Sequence, residues 1–171
     1  MVFSAKGILN FKSVSITKKQ CKNDTWKKYA QISCNSDIED YYRWFLEKRF
    51  NLKLNRTLRG THITIINDIC NIEHWDRIVK KYHGKEIEFF YEIEPCSNGE
   101  HWWIRVHCPK AEEIRLKIGL DRNPYFGFHI TLGHAVNIHL EHSKYILEQC
   151  KRFDLISYTT KVHFSKHTIM N

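Results

Sequence analysis

Two stretches of this 171-residue chain repeat one another: Gly60-Thr61-His62-Ile63-Thr64-Ile65 and Gly127-Phe128-His129-Ile130-Thr131-Leu132. Five of the six positions agree in identity or aliphatic character. Each copy reads as a strand entered through a glycine-containing loop, and on a strand residues i and i+2 share a face. His62 and Thr64 therefore point together, as do His129 and Thr131, while Ile63, Ile65, Ile130 and Leu132 face a core. Brought together by pseudo-twofold symmetry, the two strands would set two imidazoles around one small volume, with a hydroxyl beside each. Such a set suits a phosphodiester. A neutral imidazole takes a proton from the attacking oxygen and an imidazolium protonates the leaving oxygen. The threonine hydroxyls donate to the non-bridging oxygens, where charge develops. The residues do not order the two histidines as base and acid, nor choose between water and a ribose 2′-hydroxyl as nucleophile. This chemistry requires neither metal nor cofactor.

The elements around the motifs repeat as well. Each copy is preceded by a strand ending in cysteine and then a helix: Cys34 with a helix from Asp37, and Cys108 with a helix from Ala111. The segment Tyr29 to Cys34 has strand propensity, and Ser36 offers an N-cap to a helix running to about Asn51, with Tyr41, Trp44, Phe45 and Phe50 at helical spacing. A helix over Ile72 to Tyr82 stops at Gly84. In Glu86 to Glu94, Ile87, Phe89, Tyr91 and Ile93 alternate with four glutamates. The Ser97-Asn98-Gly99 turn then leads into His101 to Cys108, with Trp102, Ile104 and Val106 on the core face. Ala111 to Leu120 and His139 to Phe153 read as helices, and residues 1–25, without firm period, as a short strand or an ordered arm. Strands alternate with helices in antiparallel pairings, which predicts an α+β protein in one domain.

Composition bounds the partners. Hydrophobic residues make up 42% and charged residues 27%, enough to bury a core, while 7 glycines and 3 prolines exclude a collagen-like or linker-dominated chain. No stretch has the roughly 20 apolar residues of a membrane-spanning helix, and no signal peptide opens the chain, so a soluble cytoplasmic protein without membrane or obligate protein partner is expected. Lys and Arg exceed Asp and Glu, 27 against 19, for a net charge of +8, which favours an anionic partner such as a nucleotide. The six cysteines form no CxxC pair, so thiols rather than zinc ligands are expected, and His134, His139 and His142 read as a solvated face before they read as a metal site.

The four motif residues resemble the signature of the 2H phosphoesterase (LigT-like) superfamily, in which one His-x-Thr/Ser motif lies in each lobe. The resemblance covers roughly residues 26–135. It implies a bilobal fold of two antiparallel sheets related by pseudo-twofold symmetry, with flanking helices and a central cleft. It also implies catalysis by His62, Thr64, His129 and Thr131. Tyr41-Tyr42-Arg43-Trp44, the strand Gly84 to Tyr91 and the stretch Ile114 to Leu120 are similar in texture to a small viral branch. That branch comprises phage anti-CBASS phosphodiesterases and LigT-like proteins of avian poxviruses, which cleave cyclic oligonucleotide messengers, cGAMP included. The alternatives are phosphodiesterases of 2′,3′-cyclic RNA ends or 2′,5′-oligoadenylate, and a binding module that sequesters nucleotides. Tyr29, Trp103, Tyr125 and Phe126 are the candidates for stacking on a base, and Arg56, Arg59, Arg105 and Arg122 for contacting phosphate.

Overall fold

The computed structural model describes residues 2–15, 26–68, 72 and 74–135. The expected helix 139–153, His139, His142, Cys21, Cys70 and Cys150 lie outside them. Seven strands and three helices follow in the order β1 (Val2–Ser15), β2 (Trp26–Cys34), α1 (Ser36–Phe50), β3 (Leu54–Asn55), β4 (His62–Asp68), α2 (Trp75–Tyr82), β5 (Glu86–Ser97), β6 (His101–His107), α3 (Pro109–Lys117) and β7 (His129–Ala135).

Hydrophobic alternation explains most of them. In β6, Trp102, Ile104 and Val106 are buried while His101 and His107 face solvent. In β5 the alternation holds only through Phe89: a register shift between Tyr91 and Pro95 breaks the ladder, and Ile93, expected in the core, is exposed. Of the short strand or ordered arm expected at residues 1–25, residues 2–15 form a strand of 14 residues. β1 lies between β2 and β5, with Leu9 and Phe11 buried. Its Gly7 stands where a Cβ would collide with Ile32 and the Ser33 carbonyl. That glycine and the lysines of β1 blur the alternation in sequence.

The helices start and stop on local signals. Asn35, one residue before the expected Ser36, caps α1 by accepting from the Asp37 N–H at 3.1 Å, and Asn51 ends it in the left-handed region at φ 50. The face of α1 also differs from expectation. Tyr42 and Leu46 are buried, whereas Tyr41 and Trp44 are more than half exposed. α2 begins at Trp75 rather than Ile72, and Pro109 opens α3, where its missing N–H costs nothing.

All strand pairs are antiparallel, and the order is β3-β7-β4-β2-β1-β5-β6 with β6 returning to β7. Six strands thus close a ring, and β3 lies beside β7 outside it. The expected pair of separate sheets is therefore corrected to one continuous barrel-like sheet. The pseudo-twofold survives within it. The half β1-β2-α1-β4 matches the half β5-β6-α3-β7, and the halves join through β1–β5 and β4–β7. The first junction has seven residue pairs; the second has one, Ile63 with Ile130. The helices cross over, α1 packing on β7 of the other half and α3 on β4. Leu9, Ile32, Leu46, Ile63, Ile65, Ile104, Ile114, Ile130 and Leu132, all fully buried, form the core beneath them.

Candidate active site

The two motif strands are built alike to the residue. From Thr61 to Asn67 and from Phe128 to His134 the sequence of buried, half-buried and exposed positions is the same. Each strand follows a tight turn closed by a backbone bond, Gly60 N–H to Thr57 O at 3.4 Å and Gly127 N–H to Pro124 O at 2.8 Å. Both glycines have positive φ, 71° and 67°, a conformation that favours glycine at the turn's last position. Each strand then carries a bulge at the same place. Gln31 pairs with Thr64 but Ala30 with Ile66, leaving Ile65 extra; Trp103 pairs with Thr131 but Trp102 with Gly133, leaving Leu132 extra. The register also aligns Cys34 with Val106, since these bond Thr61 O and Phe128 O at 2.9 Å, and not with Cys108 as the sequence pattern implies.

Each imidazole is oriented by the turn before it. His62 Nδ1 lies 2.7 Å from Gly60 O, and His129 Nδ1 lies 3.0 Å from Gly127 O. A carbonyl oxygen only accepts, so both rings carry hydrogen on Nδ1 and keep Nε2 for proton transfer. The register places the rest. Ile63 faces Ile130 across the seam. One step either way, the same register sets His62 opposite Thr131 and Thr64 opposite His129. All four project from the face that the two isoleucines do not occupy. Cross-strand neighbours have Cβ atoms about 4.5–5.5 Å apart, and diagonal ones about 7–8 Å. In that register the histidines are the diagonal pair, and the charge of His62 reaches His129.

Burial lowers the pKa of His129 from its ordinary 6.5; the charge of the neighbouring His62 lowers it further, and the bond to Gly127 O opposes both. Both histidines are half-buried. An imidazole held toward its neutral form is in the state a general base needs.

Trp103 and Arg105 flank this face on β6, opposite Thr131 and His129, and Arg105 is paired with Glu92 at 3.4 Å. On β2 the counterparts are Gln31, opposite Thr64, and Ser33, opposite His62. Sequence reasoning missed both, because only the ladder reveals that they neighbour the motif. Ser33 Oγ accepts from Gln31 Nε2 at 3.1 Å and Asn10 Nδ2 at 2.9 Å, which leaves its own hydrogen to donate. Tyr29 is not the open platform expected of it. It is 6% exposed, its hydroxyl donates to Gln31 Oε1 at 2.8 Å, and the Arg59 guanidinium lies 5.3 Å from its ring centre. The middle positions of the two turns form the lips: Leu58 and Arg59 on one side, Tyr125 and Phe126 on the other. Tyr125 and Phe126 stand out at 92% and 71% exposure, rings 4.8 Å apart, and Leu58, missed in the sequence, is fully exposed.

Buried polar groups hold the lips. Glu39 of α1 accepts from Thr61 Oγ1 at 2.8 Å and Thr57 Oγ1 at 3.3 Å, bracketing the first turn. Glu112, at the equivalent place in α3, meets Arg122 at 3.4 Å ahead of the second. Arg56 is held by Asp40. His134 is bonded to Asn55 at 3.0 Å, and among the described residues no group of three or more His, Cys, Asp or Glu is arranged around a common point. Cys34, Cys96 and Cys108 are free thiols with pKa values raised by burial, that of Cys34 to about 12.

An antiparallel α+β fold with twin imidazole–hydroxyl strands on one face is the pattern of a phosphoesterase. The family model for the Swiss Army Knife 2H phosphoesterase domain (2H-SAK) matches residues 32–139, more than half the chain. The chain belongs to that family, and as a 2H phosphoesterase it is a hydrolase of phosphodiester bonds. No curated protein and no solved structure matches it.

Proposed function

We propose that the chain hydrolyses cyclic di- or oligonucleotide messengers such as cGAMP, with His129 as general base, His62 as general acid, and Thr64 and Thr131 as donors to the phosphate. The observation that carries the mechanism is the pair of Nδ1–carbonyl bonds, which leave both Nε2 atoms on one face across a single-pair seam. His129 Nε2 takes the proton of the attacking oxygen as a new P–O bond forms. The opposite P–O bond breaks, and its oxygen leaves with the proton from His62 Nε2. Attack by water opens the ring to a linear phosphate monoester; attack by a ribose 2′-hydroxyl gives a 2′,3′-cyclic phosphate. The Thr64 and Thr131 hydroxyls meet the charge on the non-bridging oxygens, and one such donor is worth about 100-fold or more in rate.

The substrate class rests on what surrounds that centre. Trp103 and the exposed Tyr125–Phe126 pair offer ring faces for bases, at about 1–3 kcal/mol each. Arg59 and Arg105 bring positive charge to the same rim, in a chain of net charge +8. On this reading a virus-encoded copy, acting in the host cytoplasm, would remove a nucleotide signal of immunity. The test is chromatography after incubation in EDTA with cyclic di- and trinucleotides, 2′,5′-oligoadenylate and 2′,3′-cyclic mononucleotides. A linear product from the cyclic dinucleotides is expected. His62→Ala and His129→Ala should each lose at least about 100-fold in turnover. Ligand returned intact after denaturation would make the chain a nucleotide sponge, and preference for 2′,3′-cyclic ends would move it to RNA processing.

A further inference from the structure

The extra residue of a bulge has backbone groups outside the ladder, and buried backbone groups need partners. The two halves meet this need differently. At β7 the short strand β3 lies against the bulge, Leu54 and Asn55 pairing with Ala135 and His134. At β4 a side chain takes that place. Arg115 of α3 is only 6% exposed, and its Nη1 donates to Ile65 O, the carbonyl of the bulged residue, at 2.6 Å. The same guanidinium donates from Nε to Asp121 O at 2.7 Å and from Nη2 toward Asn123 O at 3.5 Å. Asp121 and Asn123 belong to the loop that enters the Pro124–Gly127 turn, the turn that carries Tyr125 and Phe126 and orients His129.

We infer that Arg115 is a positioning residue for both halves of the active site, tying the main chain just after Thr64 to the loop that delivers Tyr125, Phe126 and His129. It rests on the reading of the His62–His129 face as the catalytic centre. The need for such a tie follows from the seam. Thr64 and His129 face each other across strands that share one ladder pair, so the backbone there fixes their separation weakly. Arg115 adds a second link, through α3, between the same two segments. All three acceptors named are backbone carbonyls, so what the guanidinium fixes is chain position, and its planar fork holds several directions at once. A lysine ammonium in that place reaches fewer of them and without fixed geometry. Misplacing a reacting group by about 1 Å costs on the order of 100-fold in rate.

The experiment compares Arg115→Lys and Arg115→Gln with Ile114→Val, a buried neighbour on α3 that touches no motif carbonyl. Three quantities are read on the full chain: kcat and KM on a phosphodiester that the wild type cleaves, melting temperature, and the ring C–H NMR signals of His62 and His129 without ligand. Both Arg115 variants should lose about 10–100-fold in kcat, Lys less than Gln, with both ring signals displaced. Ile114→Val should leave kcat and ring signals unchanged. In the wild type, the Arg115 Nε–H should exchange slowly with solvent. Folded Arg115 variants with kcat within about twofold of wild type and unmoved rings would overturn the inference. So would a rapidly exchanging Nε–H, which needs no variant to fold. The ring signals and the exchange rate need no turnover, so a chain that cleaves none of the phosphodiesters tried would sink the proposed function and leave this test standing.

Discussion

At the scale of the residue, His62 and His129 are the same device set in different surroundings. A glycine carbonyl two residues upstream holds each Nδ1, and the difference lies in the neighbour across the ladder, Ser33 opposite His62 and Arg105 opposite His129. For His129 burial opposes the charged form and a protonated His62 opposes it further, so its pKa lies below 6.5. The sign for catalysis follows directly. A base is lost when it is protonated, and here protonation waits for a lower pH than an ordinary imidazole would. The acid limb of kcat/KM should therefore fall below pH 6.5, and by NMR titration His62→Ala should bring the His129 pKa back upward. A wild-type His129 titrating at or above 6.5 would remove the assignment of base and acid. The paired imidazoles were legible in the sequence, but not their order as base and acid. The residue types and their shared face follow from a period of two, but solvent access to each ring is set by α1, α3 and the turns, which no local pattern encodes.

At the scale of the element, the bulges and the short strand β3 do what the motif cannot. Ile65 and Leu132 each slip the ladder by one residue directly after the motif threonine, so that residues 65 and 66, like 132 and 133, are both buried. A strict alternation reading cannot see this, because a bulge places neighbouring residues on the same side. β3, two residues long, also left no signal in the sequence, whereas β6 and its hairpin turn were plain from Trp102, Ile104, Val106 and the Ser97-Asn98-Gly99 run. α1 was found but misfaced, since aromatic spacing pointed to Tyr41 and Trp44, and the core took Tyr42 and Leu46 instead. Gly133 marks where β3 meets the bulge of β7. Its φ is 145°, a Cβ would overlap the Asn55 carbonyl oxygen, and Leu54 Cβ would lie 3.2 Å away. Gly133→Ala should cost about 1–3 kcal/mol of stability by overpacking, read as a lowered denaturant midpoint. An unchanged midpoint would mean that β3 is not packed there.

At the scale of the molecule, the charge of +8 acts on encounter rather than on the chemical step. Raising salt from about 0.05 to 0.5 M shortens the Debye length from roughly 14 Å to about 4 Å, so KM for an anionic substrate should rise several-fold while kcat stays nearly constant. A KM indifferent to salt would show that the excess charge lies away from the substrate's approach. The closing of six strands into one ring was not legible from the sequence. Local periods predict strands, but the partners of β1 and the β6–β7 closure are long-range choices made by the core.

Because the motif strands and the turns before them match position on position, each residue at the centre has a counterpart: Gln31 with Trp103, Ser33 with Arg105, Leu58 with Tyr125, Arg59 with Phe126. A nearly symmetric receptacle accepts an unsymmetrical guest in either of two orientations, and the shared histidines and threonines are indifferent between them. The choice falls to the mismatched counterparts. For a cyclic dinucleotide, the substrate proposed above, which of two unlike linkages is severed first would therefore be written in residues that make no bond to the phosphorus at all.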